Sequence, residues 1–132
     1  MIHRLDIKTG SRVEFQDVTA TVREIVGGSG VKNGVCYVFV PHTTAAVMVS
    51  EHADPSVVED IAAQLELMAP QHDRYRHREG NSPAHIKASL IGVSRMLFIE
   101  DGKLVLGTWQ GVFFCEFDGP RSRHLLVKIM PG

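Results

Sequence analysis

Along this 132-residue chain, apolar positions recur with two different periods, and the switches between them mark the elements. Ile2 to Thr9 and Arg12 to Gln16 read as short strands, with Gly10-Ser11 as the turn between them. Asp17-Val18-Thr19 then offers a helix N-cap, and Val18, Val22, Ile25 and Val26 fall on one helical face. The glycines from Gly27 to Gly30 stop that helix. Val35 to Val40 is an unbroken β-branched and aromatic run, which predicts a strand buried on both faces. After Pro41-His42-Thr43-Thr44, Ala45 to Val49 predicts a second buried strand. Asp54-Pro55 opens the next helix, whose apolar stripe of Val57, Val58, Ile61, Leu65 and Met68 runs on to Pro70. Residues 71–83 are polar and irregular, and Ala84 to Ile91 is short and helical. Strands follow at Ser94–Ile99, Leu104–Leu106, Gly111–Phe117 and Ser122–Met130. Strands at both ends with helices between them predict one α+β domain over residues 1–132, with helices packed on one side of a largely antiparallel sheet.

Composition narrows the class. Hydrophobic residues make up 44% and charged ones 22%, which excludes intrinsic disorder. Fourteen Lys and Arg against fifteen Asp and Glu leave a net charge of −1, so neither nucleic acid nor an anionic membrane is the expected partner. No apolar run approaches the ~20 residues of a membrane span, and the charged N-terminus is unlike a signal peptide. Cys36 and Cys115 sit apart in apolar runs and read as buried free thiols of a cytoplasmic protein.

Seven histidines are the oddity, and three of them occupy positions that patterning leaves unexplained. His42 ends a buried strand beside Thr43 and Thr44, His77 lies in the polar loop, and His85 starts the short helix. Imidazoles from separate elements can converge on Zn or another transition metal, with Glu51 and Asn81 orienting them from behind. The plainer alternative makes each one a surface or cap residue, since the spacing matches no compact ligand motif. Ligands of one metal sit ~2.0–2.1 Å from it, so a shared site needs imidazole nitrogens within roughly 3–4 Å of each other.

A second constellation is Glu116-Phe117-Asp118-Gly119-Pro120-Arg121-Ser122-Arg123. Strand parity groups Glu116 with Asp118 and Arg121 with Arg123. Two readings stand: surface ion pairs contributing ~0–1 kcal/mol each, or a guanidinium clamp for phosphate or carboxylate held by acidic neighbours. The single Trp, Trp109, lies between glycines beside Gln110, an amide that would need several partners if buried.

In this order, His42-Thr43-Thr44-Ala45, Glu51, Asp54-Pro55, Tyr75-x-His77, Asn81 with Ala84-His85, Leu106-Gly107-Thr108-Trp109-Gln110 and Glu116-x-Asp118-Gly119-Pro120-Arg121-x-Arg123 resemble the YjbQ family of small bacterial and archaeal proteins. The likeness runs nearly end to end. It implies an α+β fold, a homotrimer with sheets packed about a threefold axis, and a weak thiamine-phosphate synthase activity. That activity joins a pyrimidine pyrophosphate to a thiazole phosphate. Such chemistry calls for anion clamps and usually Mg²⁺. The candidate site is then His42, Glu51, His77 and His85 as catalytic residues, with the three histidines also as metal ligands. Thr43, Thr44, Asn81, Trp109, Gln110, Glu116, Arg121 and Arg123 are the substrate-binding residues. The expected ligand is a phosphorylated or otherwise anionic small molecule. The alternative is a metal- or ligand-binding trimer without turnover, acting as a sensor or carrier.

Overall fold

The computed structural model describes residues Met1–Gly132. In chain order the elements are β1 (Ile2–Lys8), β2 (Glu14–Asp17), α1 (Thr19–Gly28), β3 (Gly34–Phe39), β4 (Ala45–Glu51), α2 (Pro55–Met68), α3 (Ser82–Ile91), β5 (Ser94–Glu100), β6 (Lys103–Leu104), β7 (Gln110–Glu116) and β8 (Ser122–Pro131). All strand pairings are antiparallel. The strands make two sheets rather than the single one expected, in the orders β1-β8-β3-β5-β6 and β2-β7-β4. Gly10-Ser11 therefore does not close a hairpin: β1 pairs with β8 and β2 with β7, so the chain changes sheets there.

Two-sheet packing explains the apolar runs. In β4 and β7, Ala45, Val47, Val112 and Phe114 face the larger sheet and join Cys36, Val38, Leu125 and Val127 in the main core. Their alternates Ala46, Met48, Phe113 and Cys115 face the other way, onto Leu65 of α2 and Ala84 and Ala88 of α3. The three-stranded sheet is thus a middle layer, and a strand covered on both sides loses the polar alternation of a half-buried one. α1 inserts Val22 and Val26 into the main core.

The same logic corrects the expectation for β3. Only one of its faces is covered, because Tyr37 and Phe39 are exposed. Register places Tyr37 beside Met96 and Lys128, and Val35 beside Phe98 and Met130. The outer face of the larger sheet is therefore apolar and open in the single chain.

The helices begin as their sequences dictate. Asp54 accepts the Ser56 backbone N–H at 3.0 Å ahead of Pro55, a cap of the kind that contributes ~1 kcal/mol. α1 starts two residues past Asp17, with Val18 as N-cap, although Asp17 still accepts the Thr19 N–H at 3.0 Å. α3 begins at Ser82, two residues before the expected start. Buried Lys87 of α3 pairs with Glu66 of α2, which Arg12 also reaches at 3.0 Å, and this fixes the helix that carries His85. The chain has no helix long and apolar enough to cross a membrane.

Candidate anion pocket and the opposite sheet end

Parity along two strands in different sheets builds the centre of the site. Glu116 shares the inward face of β7 with Val112 and Phe114, and Arg123 shares that of β8 with Leu125 and Val127. They meet at one end of the inter-sheet core, and both are buried. Arg123 donates through Nε to Glu116 Oε1 at 2.8 Å and through Nη2 to Oε2 at 2.5 Å. Nη2 also reaches the Thr44 hydroxyl at 2.7 Å. Glu116 further accepts the Thr9 hydroxyl at 2.8 Å and the Asp118 N–H at 3.0 Å. Burial pushes the Glu116 carboxyl upward, but the bonds from Arg123, Asp118 and Thr9 outweigh it and hold the group below its ordinary range.

The two ion pairs of this segment differ in setting. Asp118 and Arg121 form the surface pair, 3.0 Å apart. Glu116 and Arg123 form a buried one, bridging sheets rather than neighbouring strands of one sheet.

Arg123 Nη1 has no protein partner and yet is not a buried unsatisfied atom. The guanidinium lines a cavity of about 760 Å³ together with Phe39, His42, Thr43, His85 and Ser89. His42 Nε2 accepts the His124 backbone N–H at 2.9 Å, and the two rings stack with centroids 6.0 Å apart. Burial, then the charges of Arg123 and His124, lower the His42 pKa. The ring is neutral, and that bond assigns its proton to Nδ1. The cavity wall therefore offers donors: a guanidinium nitrogen, an imidazole N–H and the Thr43 hydroxyl, while the Ser89 hydroxyl donates to the His85 carbonyl at 2.8 Å. No Asp or Glu lines it.

A polar chain runs beside the cavity. The His77 ring lies edge-on to that of His85 with centroids 5.3 Å apart. His77 Nε2 bonds Asn81 Oδ1 at 2.9 Å, and Asn81 Nδ2 donates to Asp118 at 3.0 Å. Asn81 thus links His77 to Asp118. The loop over 71–81 is anchored by the Tyr75 hydroxyl on the Pro70 carbonyl at 2.6 Å.

Two expected groupings do not form within the single chain. No three His, Cys, Asp or Glu side chains group as metal ligands. His42 has spent its Nε2 lone pair on a backbone N–H, so His42, His77 and His85 do not form a Zn centre in this chain. With no carboxylate in the wall, the cavity does not suit a resident Mg²⁺ either. The second grouping is that of Glu51, Trp109 and Gln110 with the pocket. Glu51 pairs with Gln110, whereas Ala45 pairs with Glu116. Six residue steps of strand, roughly 20 Å, separate the two ends. Glu51 accepts the Asp54 N–H at 2.8 Å, and Gln110 Oε1 accepts the Gly107 N–H at 2.8 Å. These residues stand at the far end of the sheet, with the Trp109 side chain exposed.

Sequence reasoning missed His124 and Thr9. His124 alternates outward on β8, where Asp6 accepts from Nδ1 at 3.0 Å and Arg4 meets Nε2 at 2.6 Å. Only its pairing with β1 reveals the role, and that register is not local information.

Comparison with known proteins adds the family. A family model described as UPF0047 protein YjbQ-like matches residues 3–132. A UPF0047 protein of Methanocaldococcus jannaschii is 48% identical over 130 residues, covering 98% of this chain and 94% of that one. The UPF0047 protein YugU of Bacillus subtilis is 43% identical, covering 98% and 99%. Among solved structures, a YjbQ/UPF0047 family protein of Clostridium acetobutylicum superposes with a TM-score of 0.95 at 50% identity, covering 97% and 99%. A YbjQ-like protein of unknown function from Sulfolobus solfataricus gives 0.96 at 36% identity, covering 100% and 97%. The names of these four relatives state a family and no activity. The chain belongs to the UPF0047 YjbQ-like family.

Proposed function

We propose that the Arg123 pocket binds the phosphate or pyrophosphate group of a small molecule, and that the protein is a group-transfer enzyme of that substrate class. One observation carries the reading: Arg123 is locked by Glu116 and Thr44 on one edge of its guanidinium, leaving Nη1 for the cavity. A fork held rigid before the ligand arrives loses little entropy on binding. His42, presenting Nδ1–H, and His85 supply further contacts to the anion and to a departing pyrophosphate. Joining a pyrimidine pyrophosphate to a thiazole phosphate fits this demand for anion donors. Any divalent cation for that step would arrive on the substrate's phosphates.

The test uses inorganic pyrophosphate and the two thiamine precursors. Calorimetry should give saturable pyrophosphate binding that falls by ~10–100-fold in the charge-balanced double variant Glu116→Gln/Arg123→Gln. Coupling of hydroxymethylpyrimidine pyrophosphate with thiazole phosphate should fall at least about tenfold in His42→Ala and His85→Ala. Product formation untouched by His42→Ala, His77→Ala and His85→Ala would overturn the enzyme reading at this site. Pyrophosphate binding without any product would instead support a sensor or carrier.

Assembly as a homotrimer is part of the proposal, supported by the outer sheet face where Tyr37, Phe39, Met96, Phe98 and Met130 are exposed together. Contiguous apolar surface of this kind marks protein contacts. Light scattering should report three times the chain mass, and Met96→Glu should release monomers. A wild-type monomer at micromolar concentration would overturn the trimer. The two free cysteines are buried, with the Cys36 thiol pushed up to about 11 by burial, which suits the proposed cytoplasmic location.

A further inference from the structure

The far end of the three-stranded sheet, away from the anion pocket, holds a second constructed group centred on Asp17 and His52. His52, just past β4, bonds Asp17 Oδ2 through Nδ1 at 2.8 Å. The other carboxylate oxygen accepts both the backbone N–H and the hydroxyl of Thr19. That hydroxyl in turn accepts the Val112 N–H at 2.8 Å in the buried interior. Burial raises the Asp17 pKa, but the Thr19 and His52 bonds win and keep the carboxyl ionised. An ionised carboxylate only accepts, so His52 carries a proton on Nδ1, and its Nε2 has no protein partner.

The ring is fixed on its flat side as well. A Cβ at Gly111 would stand 2.4 Å from His52 Nδ1, so only glycine lets the imidazole lie against β7. Four elements thus aim one imidazole. Two grooves share it. One, of about 400 Å³, is lined by Asp17, Thr19, Ala20, Arg23 and His52. The other, of about 320 Å³, adds the carboxylates of Asp54 and Glu59 over Phe15, Val58 and Phe113. The first groove therefore pairs an oriented base with a cation, at the ~300 Å³ lower bound of small-molecule sites or above it.

We propose that the groove between His52 and Arg23 is a second binding site, taking a small weak acid such as a phenol, enol or acidic ring N–H and accepting its proton on His52 Nε2. The ligand's O–H or N–H bond breaks and an Nε2–H bond forms. The bonding pair stays on the ligand, whose anion then lies beside the Arg23 guanidinium. The imidazolium keeps its bond to Asp17 and faces Asp54 and Glu59 across the second groove. Return of the proton restores both partners, and no other reactant is consumed.

The probe is p-nitrophenol with the intact protein, about one unit below the probe's own pKa. Fluorescence of Trp109, the single Trp, reports occupancy, because the Trp109 carbonyl accepts the His52 backbone N–H at 2.9 Å. Phenolate absorbance reports proton transfer. Wild type should show both signals saturating together. His52→Asn should lose at least about tenfold of the phenolate signal, as should Asp17→Asn while its fluorescence change persists. Arg23→Gln, which leaves the dyad intact and gives up only a 3.5 Å contact with the Leu104 carbonyl, should weaken phenolate binding by about tenfold. His85→Ala, which belongs to the anion pocket, should leave both p-nitrophenol signals at their wild-type size. A phenolate signal equal in wild type and His52→Asn, or no saturation in wild type by either reading, would overturn the proposal. Neither result bears on pyrophosphate binding at Arg123.

Discussion

Replacing Glu116 with alanine should cost about 3–5 kcal/mol of folding free energy. The magnitude follows from leaving a buried charge alone: Arg123 would keep its burial and lose both oxygens of its partner. Thr44 alone would remain to satisfy it. Arg121→Ala is the control, since the Asp118–Arg121 pair is about half exposed on its Arg side and should change stability by only ~0–1 kcal/mol. Urea unfolding separates the two. The apolar double variant Glu116→Leu/Arg123→Met should recover most of the stability while binding no pyrophosphate, because buried pairs seldom outdo well-packed hydrophobic replacements. The pH dependence has a definite sign. Glu116 is held below its ordinary range in the fold, so its contribution is complete above the unfolded carboxylate pKa and is lost as the pH falls through the lower folded value. Stability measured from neutral pH downward should therefore drop more steeply in wild type than in the apolar double variant.

Gly119→Ala is the second large effect expected. A Cβ there would lie 2.2 Å from the Ser11 carbonyl oxygen and 2.9 Å from both Glu116 Cγ and Thr9 Oγ1. The Gly119 N–H is also bound to the Arg12 carbonyl at 3.0 Å, so the backbone is pinned against the strand connection it would have to leave. Relief must come from moving that connection or from turning Thr9 and Glu116 away from Arg123. Overpacking of this kind costs typically ~1–3 kcal/mol. The functional loss should exceed the stability loss, because the displaced atoms are those that hold the guanidinium. Thermal unfolding together with pyrophosphate calorimetry would show it: a folded protein with affinity down at least about tenfold. Wild-type affinity in a folded Gly119→Ala protein would contradict the described clamp.

Local pattern made most of the elements legible. Pro55 and the Asp54 cap announced α2, and the apolar runs at Val35, Ala45 and Gly111 announced β3, β4 and β7. Partition into two sheets was not legible, because a run buried on both faces looks the same in a parallel sheet and in a middle layer. Tyr37 and Phe39 looked like core for a similar reason: sequence hydrophobicity does not say whether the covering layer belongs to the same chain. Strand parity groups Glu116 with Asp118 and Arg121 with Arg123 but does not reveal that the Glu116–Arg123 pair spans the two sheets. His42, Thr43, Thr44, His85 and Arg123 do meet at one end of the fold. Glu51, Trp109 and Gln110 do not, since seven residues of β4 hold them at the other. His52 carried no local signal. Its role depends on Asp17 from β2 and Gly111 from β7, which only the folded chain brings together.

The most direct measurement is a nuclear magnetic resonance titration of the intact protein with inorganic pyrophosphate, following the arginine side-chain N–H and histidine ring signals. Saturable shifts should centre on the Arg123 guanidinium, His42 Nδ1–H and His85, with Arg74, Arg76 and Arg78 of the neighbouring loop moving little. Shifts confined to those loop arginines, with Arg123 and His85 unmoved, would show that the cavity does not hold the anion.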